Sequence, residues 1–205
     1  MSEEMVGRRP RRGRVSVVCG PMFAGKSEEL MRRVRRARLA GLKVEVVSHA
    51  LDTRPGAAQI ASHSGLAVEA VSFADVDAFA AHVAELDLDL LAIDEAQFFG
   101  PRVVDVVLAA AARGVEVIVG GLSATYDGRP FEPIPTLMAL AEDVTKLTAV
   151  CVVCGEDAVF HEKVAADTAT RDPHALVSAN VGGLETYEAR CRRHHSSTGR
   201  GGASF

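Results

Sequence analysis

Three groups of residues in this chain have the types and spacing to do chemistry. The first is "GPMFAGKS", residues 20 to 27, which satisfies G-x-x-x-x-G-K-[ST] in full. Gly20 and Gly25 let a backbone curl so that successive N–H groups face phosphate oxygens. A helix opening at the loop adds its positive dipole end. Lys26 then reaches the β- and γ-phosphates, and the Ser27 hydroxyl serves Mg²⁺. The second group is Asp94–Glu95, two carboxylates closing the apolar run "LDLLAID". A carboxylate at the end of a buried strand suits Mg²⁺ held through water. Its neighbour Glu95 can take a proton from an acceptor hydroxyl, as in a kinase, or orient a water, as in an ATPase. The dipeptide does not choose between them. The third is "CVVC" with "CRRH": Cys151, Cys154, Cys191 and His194. Two such pairs offer four soft ligands for tetrahedral, structural Zn²⁺. His195 competes with His194 for the fourth place. Cys19 reads as core.

The surrounding pattern supplies elements to position these groups. "RVSVV" reads as a buried strand leading into the glycine loop. Leu30, Val34 and Ala37 mark the apolar face of the helix that follows, and Gly41 stops it. "KVEVVS" is a second strand, followed by a Gly/Ala/Ser-rich loop over residues 50 to 67. A short strand near Val68 to Val71 and a helix from about Phe73 to Leu86 come next. The run ending at Asp94 has the continuous hydrophobicity of a central parallel strand. A helix over residues 101 to 113 ends at Gly114, and "VEVIVGGL" is another strand. This alternation predicts an α/β fold: a P-loop NTPase-type parallel sheet flanked by helices. The expected division is a basic tail at 1–13, a nucleotide-binding domain at 14–149, a zinc-binding lasso module at 150–195 and a second tail at 196–205.

The chain has 205 residues, is 48% hydrophobic and has a formal net charge of −4. That length buries a real core. No apolar run is long enough to span a membrane, and the Arg-rich N-terminus has no apolar stretch behind it, unlike a signal peptide. Cysteines in metal-like pairs suit a cytoplasmic, reducing setting. Through Lys43 there are 12 Lys/Arg against 4 Asp/Glu; the remainder has 11 against 23. The basic front end raises nucleic acid as a partner, but Glu28 and Glu29 four residues before Arg32 and Arg33 read as a solvated helix face.

The segments "GPMFAGKSEELMRRVRRARLAG", "DTR", "SHSG", "AIDEAQFF", "GRPFEPIPTLMALAEDVTKLTAVCVVCG" and "GGLETYEARCRRHH" together resemble the zinc-containing, cellular type of thymidine kinase. The resemblance runs from about Arg14 to His195. It implies ATP-dependent phosphorylation of the 5′-hydroxyl of thymidine, with Glu95 as base. The implied ATP-binding set is Gly20, Pro21, Met22, Phe23, Ala24, Gly25, Lys26 and Ser27, with Asp94, Gln97, Asp52 and Arg54. The implied nucleoside pocket is Met22, Leu122, Tyr126, Phe131, His161 and Tyr187. A lasso carrying Ser178, Ala179, Asn180, Val181 and Gly182 would grip the base and be anchored by the zinc module. Mg²⁺ with ATP, structural Zn²⁺, feedback by thymidine triphosphate and a homotetramer are further implications. The chain departs from the family pattern at Pro55, Ser123, Asn180 and His161. His161 replaces a small hydroxyl expected near thymine; it could hydrogen-bond a base carbonyl or cap the loop. Two alternatives remain: a kinase of shifted base preference, such as for deoxyuridine, and an ATPase whose zinc module binds nucleic acid. The lasso motif favours a small nucleoside over a polymer.

Overall fold

The computed structural model describes residues 13–51, 59–61, 67–164 and 187–196. Asp52, Arg54, the lasso residues Ser178, Ala179, Asn180, Val181 and Gly182, and both tails at 1–12 and 197–205 lie outside the described residues.

Six strands form the main sheet: β1 (Arg14–Gly20), β2 (Val44–His49), β5 (Val71–Phe73), β6 (Leu90–Ile93), β7 (Glu116–Leu122) and β8 (Asp143–Lys146). Their order is β5-β2-β6-β7-β1-β8, and every pairing is parallel. A parallel sheet needs crossovers, and four helices supply four of the five, all but the one from β2 to β5: α1 (Lys26–Leu39), α2 (Val76–Glu85), α3 (Val103–Ala112) and α4 (Ile134–Leu140).

The helices cover both faces. On one, Leu30, Met31 and Val34 of α1 pack with Val18, Val46, Ala92 and Ile118. On the other, Phe79 of α2, Val103 and Val107 of α3, and Ile134 and Leu137 of α4 pack with Val15, Val17, Leu91 and Val117. The alternation of Val17 and Val18 to opposite faces is the strand period of two. Full burial of each such side chain stabilises the fold by about 1.5–3 kcal/mol. Helix α1 is oriented by charge as well: Glu28 and Glu29 occupy its first turn, and Arg36 and Arg38 its last. Glu29 accepts bonds from Arg32 at 2.6 Å and Arg33 at 2.7 Å, and Arg33 continues to Asp143 and Thr145 of β8. The basic run on this helix is thus partly neutralised and tied to the sheet edge.

Several local expectations change. The strand expected at Val68 to Val71 is two strands broken at Ala70. Its first part, β4 (Ala67–Glu69), pairs antiparallel with β3 (Gln59–Ala61) inside the segment read as loop, while β5 joins the main sheet. Three-residue strands are too short for periodicity to register. The helix expected from Phe73 begins at Val76, because Asp75 caps it by accepting from the Ala78 N–H at 2.8 Å. Helix α4 and strand β8 are further elements; the first has seven residues and the second is a half-exposed edge.

Beyond β8 the strands are short: β9 (Ala149–Val150) with β10 (Asp157–Ala158), and β11 (Phe160–Lys163) with β12 (Tyr187–Arg190), both antiparallel. Their small core of Ala149, Cys151, Ala158, Ala189 and Cys191 is completed by Phe23 and Ala24 of the glycine loop. No helix among the described residues is long and apolar enough to cross a membrane.

Candidate active site

The glycine loop leaves β1 at Gly20 and enters α1 at Lys26. Gly25 caps the helix with φ 77°, the left-handed region where a Cβ is penalised. Phe23 also has positive φ, at 65°, and bears that cost while packing on the small core beyond β8. Lys26 is 7% exposed and donates to the Pro21 carbonyl at 2.7 Å, so the ammonium lies over the loop.

Asp94 follows β6 and is fully buried. Its N–H donates to the Val47 carbonyl at 2.9 Å, and its Oδ2 accepts from Ser27 Oγ at 2.9 Å. Strand β7 lies between β6 and β1, so this bond must cross it. Gly120 makes the crossing possible: a Cβ there would stand 3.0 Å from Asp94 Oδ1. On the next residue, a Cβ at Gly121 would stand 2.5 Å from Ile134 Cδ1 and 2.7 Å from Gln97 Oε1. The diglycine of "VEVIVGGL" therefore clears space for two polar side chains of the site. An interior glycine in a strand pattern signals such close approach. That signal was present in the sequence, and these two glycines were absent from the expected site.

Glu95 leaves the strand direction with φ 49°, and a 3-10 turn, Ala96–Phe99, follows. This turn keeps both carboxylates at the same sheet edge, although successive strand residues would face opposite ways. Gln97 donates from Nε2 to Glu95 Oε2 at 2.5 Å and accepts at Oε1 from the Leu122 N–H at 3.1 Å. Both ends of that amide are engaged by the protein.

On the other side of Lys26 stand three of the expected pocket residues. The Tyr126 and Tyr187 rings are 6.5 Å apart, and His161 meets Tyr187 edge-on at 5.7 Å. Tyr187 is 2% exposed and His161 3%. Burial, reinforced by the charge of Lys26 and by His195, holds His161 down to about 3. The ring is therefore neutral at pH 7. Its Nδ1 is buried without a hydrogen-bond partner among the described residues, a costly state. Leu122 and Phe131 frame the loop after β7; the Phe131 N–H donates to the Ser123 carbonyl and the Ser123 N–H to that of Gly20. Met22 is half-buried within the glycine loop.

The ligand atoms of Cys151, Cys154, Cys191 and His194 all lie within 4.8 Å of one another. Zn–S bonds of about 2.3 Å and Zn–N bonds of about 2.0–2.1 Å set tetrahedral edges of about 3.8 Å (S–S) and about 3.6 Å (S–N). The Cys154–Cys191 Sγ separation is 3.8 Å, and His194 Nδ1 lies 3.7 Å from Cys151 Sγ and 3.3 Å from Cys191 Sγ. The donor set thus fits Zn²⁺. His195 is engaged elsewhere: Nε2 lies 3.0 Å from the Tyr126 carbonyl, and its ring stacks on Phe160. His195 therefore ties the cluster to the loop at Tyr126.

Residues 13–195 match the family model described as thymidine kinase. The chain belongs to the thymidine kinase family. It is 43% identical over 198 residues to a thymidine kinase of Deinococcus deserti, covering 91% of this chain and 96% of that one. It is 42% identical over 198 residues to a thymidine kinase of Deinococcus radiodurans, covering 91% of this chain and 92% of that one. Among solved structures, a replication initiator DnaA bound to AMPPCP and single-stranded DNA superposes with a TM-score of 0.40 at 12% identity, over 66% of this chain and 40% of that one.

The diglycine gives a test. Gly120→Ala must displace Asp94 by a few tenths of an ångström, so initial rates of phosphoryl transfer should fall about tenfold. Gly121→Ala meets three atoms within 3 Å and should lower thermal stability by about 1–3 kcal/mol. Wild-type rates and melting in both would show that the glycines do not set this geometry.

Proposed function

We propose that this chain transfers the γ-phosphoryl group of ATP to the 5′-hydroxyl of thymidine. The observation that carries the reading is the Ser27–Asp94 bond across Gly120 with Glu95 beside it, in a chain of the thymidine kinase family. The glycine loop, Gly20 to Ser27, cradles the triphosphate, and Lys26 exchanges the Pro21 carbonyl for phosphate oxygen. Ser27 and Asp94 are the residues to hold Mg²⁺, which would neutralise charge developing on the phosphates. Glu95 accepts the 5′-hydroxyl proton as the new O–P bond forms and the bond to the ADP oxygen breaks. Asp52 and Arg54 are assigned to the phosphates, and the lasso, Ser178 to Gly182, to the base; both assignments rest on the resemblance. Feedback by thymidine triphosphate and a homotetramer have the same support. The four free cysteines favour a cytoplasmic setting.

The nucleoside side is assigned to Met22, Leu122, Tyr126, Phe131, His161 and Tyr187. The neutral His161 ring, whose Nδ1 has no partner among the described residues, is suited to read a base edge. The Cys151, Cys154, Cys191 and His194 cluster is assigned one structural Zn²⁺, since four protein ligands leave no open position. The residues from 150 to 195 are read as a module that this ion organises.

Glu95→Gln keeps the side chain's shape and removes its basicity. It should lower kcat for thymidine by about 10²–10⁴-fold, with the Kd for ATP nearly unchanged. Wild-type enzyme should phosphorylate thymidine and leave deoxyguanosine nearly untouched. Rapid ATP hydrolysis without nucleoside, and no phosphorylated product, would replace the kinase reading with the ATPase one.

His161→Thr should change the ratio of kcat/KM between thymidine and deoxyuridine by about fivefold or more, because a hydrogen bond to a buried group is gained or lost. An unchanged ratio would remove His161 from base recognition.

Elemental analysis should find one zinc per chain. Cys154→Ser or chelation should lower the melting temperature and raise the thymidine KM. It should also weaken ATP binding, since Phe23 and Ala24 share the core of the cysteine module. Zinc-free protein with native melting would exclude a structural ion.

A further inference from the structure

We propose that Gln97 is a positioning residue: it aims the Glu95 carboxylate by bracing it against the end of β7. This rests on the assignment of Glu95 as the base. Three observations converge on it. Gln97 is 1% exposed, so its amide must find partners inside the protein. Nε2 reaches Glu95 Oε2 at 2.5 Å, while Oε1 takes the Leu122 N–H at 3.1 Å. The absence of a side chain at Gly121 leaves the space that Oε1 fills, 2.7 Å from where a Cβ would sit.

The consequence is mechanical and electrostatic. Glu95 sits on a backbone at φ 49°, on a turn that alone fixes nothing about its χ angles. An amide donor to one carboxylate oxygen selects a rotamer for the Glu95 side chain. Because the same amide holds the Leu122 N–H, the base is registered to the strand that leads into the nucleoside-side loop through Tyr126 and Phe131. The carboxylate and the pocket then move as one body. Gln97 stays neutral, so the brace adds no charge that would compete with phosphate. An acid in its place would put two carboxyl groups at a separation where both cannot remain ionised.

Two substitutions separate the functions of the amide. Gln97→Glu keeps an oxygen for the Leu122 N–H and replaces the neutral amide donor by a carboxyl that competes with Glu95 for one proton. Gln97→Met keeps the length and removes both bonds. We expect kcat for thymidine to fall about 10- to 100-fold in each, with the Kd of ATP, measured by calorimetry, within about threefold of wild type. In a Glu95→Gln background, Gln97→Met should lower kcat by no more than about twofold, because a residue acting through Glu95 has nothing left to aim. Thermal melts accompany each measurement. The proposal is overturned by wild-type kcat in Gln97→Glu, by losses that multiply in the double variant, or by a kcat deficit matched by loss of folded protein. A tenfold weaker ATP Kd with intact kcat would assign Gln97 to the nucleotide instead. Impaired Glu95→Gln beside fully active Gln97 variants removes this proposal alone; a fully active Glu95→Gln removes the base assignment and the proposal with it.

Discussion

The bond from Ser27 Oγ to Asp94 Oδ2 joins two segments that are 67 residues apart and separated in the sheet by β7. Much of the molecule can be understood as what permits it. Parallel strands bring the carboxyl ends of β1, β6 and β7 to one edge. Register aligns Val18 with Gly120 and Ile93 with Val119, which fixes the levels of the loop and the carboxylate. Gly120 then removes the one side chain that would stand between them. The cores on both faces hold this register, because a parallel sheet buried on both sides cannot slip without misplacing every apolar side chain.

The same edge carries the strained backbone. Phe23 and Glu95 are the described non-glycine residues at positive φ, and both flank the phosphate site. Such conformations cost on the order of 1–3 kcal/mol each and persist where neighbours over-determine them. Phe23 is held by the core of the cysteine module, and Glu95 by Gln97. The small core beside the Cys/His cluster is therefore a support of the glycine loop. His195 extends the link by meeting the Tyr126 carbonyl while its neighbour His194 faces the three sulfurs.

Charge is arranged with the same economy of space. Lys26 lies over its own loop, and the nearby His161 is kept neutral chiefly by burial and secondly by that cation. A second positive charge there would face Lys26 in a poorly hydrated setting. The imidazole thus places a polar group there without adding charge.

Much of this was legible in the sequence. "GPMFAGKS" between a strand and a helix, the apolar run ending in Asp94–Glu95, and the two cysteine-centred pairs each carry their chemistry in local spacing. Local spacing is what a linear pattern records. The parallel α/β architecture followed from alternating periods, and the family from long motifs. Tertiary structure alone decided which strands are neighbours, and with that, why "GG" stands in β7. It brought His194 to the three sulfurs and His195 to the Tyr126 carbonyl. It placed Gln97 as a bridge between Glu95 and Leu122. It also divided the segment after residue 50 into a hairpin and an edge strand. Each of these depends on atoms brought together from distant positions, and no local period or spacing encodes such a meeting.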